Sequence, residues 1–176
     1  MNFKATGFSG LYLIEVNQLK DERGIFARTY CQEEFKKIGF DKTFVQMNFS
    51  FNPKKGTFRG LHFQRPPFEE TKLIRCSSGK VFDIALDIRK SSSTYLQWYG
   101  CELSQENRDM LLIPEGFAHG FITLEDNSEL VYAHTAFYNP AADAGIRFND
   151  SAFQLELPTE ITVISEKDKN YPLLNL

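Results

Sequence analysis

The chain has 176 residues, 42% of them hydrophobic and 14% aromatic, with a formal net charge of −3. This length suits one domain, residues 1–176, with a sizeable buried core; the apolar runs fall well short of the ~20 residues that span a bilayer, and the slightly acidic balance argues against nucleic-acid binding. Cys31, Cys76 and Cys101 are odd in number, widely spaced and free of any C-x-x-C, which predicts reduced thiols in a soluble cytoplasmic protein rather than a disulfide framework or a zinc site.

Short segments rich in β-branched and aromatic residues alternate with turn signals, without repeats or linkers. That pattern predicts an all-β sandwich or barrel with one or a few short helices. The first residues carry no leader pattern of charged, apolar and small residues and run into a predicted strand over residues 10–16. A polar turn follows at residues 20–24. Residues 32–38 form the one helix candidate, with Gly39 as its stop. Residues 44–51 alternate, with Val45, Met47, Phe49 and Phe51 on one face and Gln46, Asn48 and Ser50 on the other. That polar face either lines a wet cavity or is solvated. Residues 80–89 alternate in the same way, with Phe82, Ile84, Leu86 and Ile88 opposite Val81, Asp83, Ala85 and Asp87. Residues 110–113, stopped by Pro114, read as a strand buried on both faces. Regular pleating over residues 130–138 would put Leu130, Tyr132, His134, Ala136 and Tyr138 on one face, so that both tyrosines point into one space. After Ser151 the pattern is irregular, Pro158 and Pro172 limit any helix, and the tail is expected to wrap back over the sheet.

Two of the three histidines sit in phrases that carry chemistry. R-G-L-H-F-Q (residues 59–64) places His62 ten residues before Lys72, and P-E-G-F-A-H-G-F (residues 114–121) places His119 just after a tight turn. A neutral histidine is a good base near its ordinary pKa of about 6.5, best with a carboxylate on its other nitrogen. Lys72 supplies a point charge for a developing enolate. A lone histidine is more often a hydrogen-bonded structural residue, but here basic and aromatic residues recur in linked phrases. Arg59 and His62 have opposite strand parity; Gly60 permits a bulge or a close backbone approach that turns both inward. The His119 phrase resembles the second motif of the cupin superfamily, whose histidine faces the barrel interior. The first cupin motif would supply H-x-H, and Gln64 occupies the second place. His62 and His119 with Glu69 or Glu70 therefore make an incomplete metal set.

Further phrases extend the pattern: D-E-R-G-I-F (residues 21–26), V-Q-M-N-F-S (45–50), K-L-I-R-C-S-S-G-K-V-F-D-I-A-L-D-I-R (72–89), S-S-T-Y-L-Q-W (92–98) and S-E-K-D (165–168). In order and spacing, from about residue 10 to residue 168, the chain resembles the dTDP-4-dehydrorhamnose 3,5-epimerases of deoxysugar biosynthesis. The resemblance implies a cupin-type jelly-roll β-barrel, a homodimer, a nucleotide-sugar substrate, and neither a metal nor an organic cofactor. It implies His62 as the base beside the C4 ketone, Asp168 as the carboxylate orienting it, Tyr132 as the phenol returning a proton to the opposite face, and Lys72 as the enolate's cation. It also implies Tyr138 as a ring stacking on the nucleotide base. Arg23, Gln46, Asn48, Arg59 and His119 fall at substrate contacts, and Asp143 and Lys167 match more weakly. His134 is claimed by no motif and is expected to be structural.

Two positions depart from the family. Ala133 stands where a lysine often follows the tyrosine. Arg28 stands where the family has a glutamate that helps to recognise the base. A carboxylate can accept from the thymine ring N–H, whereas a guanidinium can only donate. Arg28 therefore either reads an acceptor edge such as cytosine presents, making a CDP-sugar the substrate, or contacts phosphate or solvent with dTDP retained. A sugar-nucleotide 3,4-ketoisomerase and a non-catalytic sugar-nucleotide-binding cupin are the alternatives to an epimerase. The second is disfavoured by the joint presence of His62, Tyr132 and Asp168.

Overall fold

The alternating segments become strands, and the strands form two sheets facing each other as a jelly-roll barrel. The computed structural model describes residues 1–174. Strands β1 (Asn2–Ala5) and β2 (Tyr12–Glu15) precede a hairpin of β3 (Gln18–Asp21) and β4 (Gly24–Ala27), then helix α1 (Gln32–Lys36). Next come β5 (Gln46–Asn52), β6 (Thr57–Gln64), β7 (Lys72–Ser78), β8 (Lys80–Asp87) and β9 (Trp98–Ser104). They are followed by β10 (Met110–Ile113), β11 (Phe117–Thr123), β12 (Ser128–His134), β13 (Asp143–Gly145), β14 (Val163–Ile164) and the one-turn helix α2 (Glu166–Lys169). The first sheet runs β1-β2-β10-β7-β12-β5 and the second β13-β6-β11-β8-β9, with β14 added in parallel against β6. Neither described helix is long and apolar enough to cross a membrane.

Three apolar clusters hold these layers together. Leu11, Ile74, Val81, Leu111, Phe117 and Leu130 pack between the sheets. The outer face of the second sheet, with Phe58, Ile84, Leu86 and Ile122, is covered by Ile146, Phe153, Leu157 and Ile161 of the C-terminal tail, which wraps over it as expected. The outer face of the first sheet is covered by α1, whose Phe35 meets Ile14, Leu73, Met110 and Leu112. Each fully buried side chain of this size contributes about 1.5–3 kcal/mol. Strand β8 explains its own pattern: Val81 and Ala85 face the barrel interior while Ile84 and Leu86 face the tail, so both sides are buried.

Helix α1 ends two residues earlier than expected. The amides of Lys37, Ile38 and Gly39 bond carbonyls three residues back, tightening the last turn before Gly39 takes φ +82°. Strand β12 also stops early, at His134. Regular pleating therefore does not carry Tyr138 to the Tyr132 face: Tyr138 lies in the following loop, 56% exposed, with its amide on the Gln46 side chain. The strand breaks because Thr135 and Thr71 exchange bonds that turn the chain away, the Thr71 amide to the Thr135 hydroxyl and the Thr135 amide to the Thr71 carbonyl.

Strand β5 has an inverted polarity. It is an edge strand whose inward face is Gln46, Asn48 and Ser50, while Met47 (71% exposed) and Phe49 (72% exposed) point outward.

The bulge anticipated at Gly60 is present. His119 pairs with His62 and Phe121 with Arg59, so two residues of β6 oppose Gly120 alone. Gly60 adopts φ +135°, and a Cβ there would sit 2.5 Å from the Gly120 Cα. Backbone contacts backbone, leaving no room to yield. Gly60→Ala is expected to cost roughly 2–4 kcal/mol in urea unfolding; an unchanged midpoint would show that the bulge tolerates a side chain.

Candidate active site

Between the sheets, at the end where β5 turns its polar face inward, lies an open cavity of about 250 Å³. Its wall includes Asn48, Ser50, Arg59, His62, Lys72, His119, Tyr132 and His134. The Gly60 bulge is what lets Arg59 and His62 both reach it from one strand. The choice left open for β5 is thereby decided: its polar face lines the cavity.

His62 is half-buried, and its Nε2 lies 2.8 Å from Asp168 Oδ1. The carboxylate accepts that N–H, which leaves the lone pair on Nδ1. Asp168 is buried, and its second oxygen accepts the Gly60 amide at 3.2 Å. Its own amide is capped by the Ser165 hydroxyl at 3.0 Å, so the single turn of α2 exists to aim this residue. Burial alone would raise the Asp168 carboxyl; the His62 bond and charge, with the Gly60 amide, overcome it and hold the group below its ordinary value. The Tyr171 ring stands edge-on to His62 at 5.7 Å.

Tyr132 comes from β12 in the opposite sheet, with its ring 6.0 Å from His119 in an edge contact. Burial, with the nearby Asp83 charge, pushes its phenol well above the ordinary value, partly offset by Arg59 and the Ser50 hydroxyl. The phenol therefore stays protonated through the neutral range. At the cavity floor His119 Nε2 lies 3.0 Å from each oxygen of the fully buried Asp83. Burial lowers the His119 pKa despite Asp83, favouring the neutral ring. Arg59 is steadied by Asn52, whose side-chain carbonyl accepts from Nε at 2.8 Å.

Other expected residues lie apart from this wall. Gln46 sits at its edge, joined to Tyr138. Asp143 and Lys167 form an ion pair with each other next to the His62 strand, Asp143 opposite Gln64. Arg23 is exposed on the hairpin and bonds Asp21, and Arg28 is exposed and bonds Glu34. Neither arginine lines the cavity of its own chain. Gln64 is turned into the loops, its amide donating to the Phe68 and Phe137 carbonyls and accepting from Asn139. Among the described residues no three His, Cys, Asp or Glu side chains converge as a metal-ligand group.

His134 lines the cavity with its ring stacked beside Tyr132. Its parity with Tyr132 was the signal for this. Asp83, Ser165 and Tyr171 are not among the site residues the sequence points to, and Glu70 enters there only as a possible metal ligand. Asp83 carries a readable signal, an acid on the inward face of an otherwise apolar strand. The others depend on loop and tail geometry that local pattern does not encode.

Comparison with known proteins agrees with this geometry. A family model described as dTDP-4-dehydrorhamnose 3,5-epimerase matches residues 5–175. The chain is 45% identical over 172 residues to the dTDP-4-dehydrorhamnose 3,5-epimerase of Salmonella typhimurium, covering 97% of this chain and 93% of that one. The crystal structure of the dTDP-4-dehydrorhamnose 3,5-epimerase of Bacillus anthracis, with TDP and PPi bound, matches with a TM-score of 0.95 at 38% identity, over 98% of this chain and 99% of that one. The dTDP-6-deoxy-D-glucose-3,5-epimerase of Legionella pneumophila, in complex with dTDP-4-keto-L-rhamnose, gives 0.93 at 38% identity, over 99% and 93%.

Asp168→Asn is expected to cost roughly 1–3 kcal/mol at neutral pH, read by urea unfolding. The folded carboxyl titrates below its unfolded value of about 4, so its contribution is complete above that value and is lost as pH falls through the lower folded one. The gap between parent and variant should narrow on acidification; a gap independent of pH would show that the carboxylate charge is not what stabilises this corner.

Proposed function

The chain belongs to the dTDP-4-dehydrorhamnose 3,5-epimerase family, and on that premise we propose how its residues carry out the reaction. It is an isomerase that epimerises a dTDP-linked 4-keto-6-deoxyhexose at C3, C5 or both. The observation that carries the assignment of roles is the placement of His62 and Tyr132 on facing sheets of one cavity.

The C4 ketone acidifies the C–H bonds at C3 and C5. His62 Nδ1 takes one of these protons, the C–H electron pair moves into the ring, and the negative charge settles on the C4 oxygen. Asp168 stabilises the imidazolium so formed, as a carboxylate partner does for a histidine base. Lys72 holds the enolate oxygen. Tyr132 then delivers its phenolic proton to the same carbon from the other side, which inverts it. Arg59 and His119 bind the polar parts of the substrate, the former through charge-assisted bonds to diphosphate. Gln46, Asn48 and Tyr138 complete the wall and mouth, and Asp143 with Lys167 lies on the same rim. As inversion completes, the enolate charge returns to the C4 carbonyl, and water reaching the open cavity takes the proton from the His62 imidazolium and restores one to the Tyr132 phenolate, which resets both groups.

We assign thymidine rather than cytidine diphosphate as the carrier, in keeping with the family, with Arg28 reserved for Glu34 and phosphate rather than the base. The three free cysteines accord with a cytoplasmic site of action. We also propose a homodimer. Met47, Phe49 and Phe51 on β5, and Leu19, Ile25 and Phe26 on the hairpin, are large apolar side chains exposed together with a sheet edge. An apolar groove of about 340 Å³ lined by Tyr30, Phe44, Met47 and Val131 continues that surface. Arg23 and Arg28 would then meet substrate in the partner's cavity.

His62→Ala is expected to abolish solvent-deuterium incorporation into the 4-keto sugar, followed by NMR; exchange at the parental rate would remove His62 as the base. The same spectra separate epimer from 3-keto product and so test the ketoisomerase alternative. Titration should show clear preference for dTDP over CDP, and the reverse preference would restore the cytidine reading. In sedimentation the chain should run as a dimer and a Met47→Asp, Phe49→Asp variant as a monomer; a monomeric parent would overturn the dimer.

A further inference from the structure

A third carboxylate–histidine pair lies beside Lys72, and no step of the reaction above uses it. Lys72 and His134 face each other directly across the β7–β12 ladder, so their side chains share the inward face. Glu70 sits between them. Its Oε1 lies 3.3 Å from Lys72 Nζ, and its Oε2 accepts from His134 Nδ1 at 2.8 Å. The other nitrogen of His134, Nε2, takes the Asn48 side-chain N–H at 3.2 Å. Lys72 and Glu70 keep only 12% and 10% of their side-chain surface.

Glu70 is itself well anchored. The Gln64 amide holds the Phe68 carbonyl before it, and the Thr71–Thr135 bonds hold the chain after it. Burial would raise its carboxyl, but the His134 bond and the Lys72 charge more than compensate and keep it ionised. A bare carboxylate near a developing enolate would oppose it. This one has both oxygens engaged by donors, and what it supplies is direction. A lysine is a compact charge on a flexible four-carbon stem, and oxyanion stabilisation depends on donors fixed before the charge develops.

We propose that Glu70 is a positioning residue for the epimerisation, holding the Lys72 ammonium at the enolate site. This rests on the reading of Lys72 as the enolate's cation, and the test is built to separate the two. Solvent-deuterium exchange into the dTDP-linked 4-keto sugar is measured at saturation for the parent, Glu70→Gln, Lys72→Ala and the double variant, with dTDP affinity as the control for folding. Glu70→Gln should lower the exchange rate by about tenfold or more with dTDP affinity kept. In the Lys72→Ala background it should cost nothing further, because the group it positions is gone. Parental exchange in Glu70→Gln, or a double variant that multiplies the two single losses, would overturn the proposal. Parental exchange in Lys72→Ala would instead remove Lys72 from the reaction, and Glu70 with it. Should Glu70→Gln fail to fold, Glu70→Asp, which draws the carboxylate back by one methylene, carries the same cycle.

Discussion

The site depends on one buried carboxylate. Asp168 ties three otherwise independent pieces together: the His62 ring, the amide of the Gly60 bulge and the one-turn helix α2. Each end of that contact needs the other. The bulge would leave a buried amide unpaired without Asp168, and Asp168 would be an uncompensated buried charge without His62 and Gly60. Asp168 lies more than a hundred positions from His62 and Gly60, and the apolar tail that covers the outer face of the second sheet is what brings it to them. Packing on the outside of the barrel thus sets the tautomer of a histidine on the inside.

The barrel divides its interior by polarity. One end is filled with Leu, Ile, Val and Phe and supplies cohesion. At the other, three histidines are each matched with a carboxylate: His62 with Asp168, His119 with Asp83, His134 with Glu70. Pairing lets such groups persist in a partly dry cavity. The pairs differ in burial and so in use. His62 is half-open to the cavity and suits proton transfer, whereas His119 and His134 are buried and suit holding neighbours in place. Because the sheets face each other, a flat enolate between them presents one side to β6 and the other to β12. That relation is what the proposed inversion requires.

Much of this was legible in the sequence. Period-two alternation marked β5 and β8, an apolar run stopped by Pro114 marked β10, and Gly60 marked the bulge that reconciles Arg59 with His62. The linked phrases pointed to the family. Pleating parity succeeded for Tyr132 and His134 because they share one continuous strand. It failed for Tyr138 because the ladder ends at His134, where side-chain bonds from Thr135 replace backbone pairing. The role of Glu70 was hidden because it depends on how a loop folds back beside Lys72. Arg23 and Arg28 were expected at the substrate and lie outside their own chain's cavity, since the hairpin that carries them stands apart from both main sheets.

The central claim is that base and acid are separate groups acting on opposite faces of one enolate. Its most direct test is Tyr132→Phe, assayed in deuterated water with NMR reading both isotope content and configuration at C3 and C5. Removal of the phenol should leave deuterium entering the sugar through His62 while net inversion falls away. Inversion at the parental rate would contradict it, because the proton would then be reaching the second face from another group.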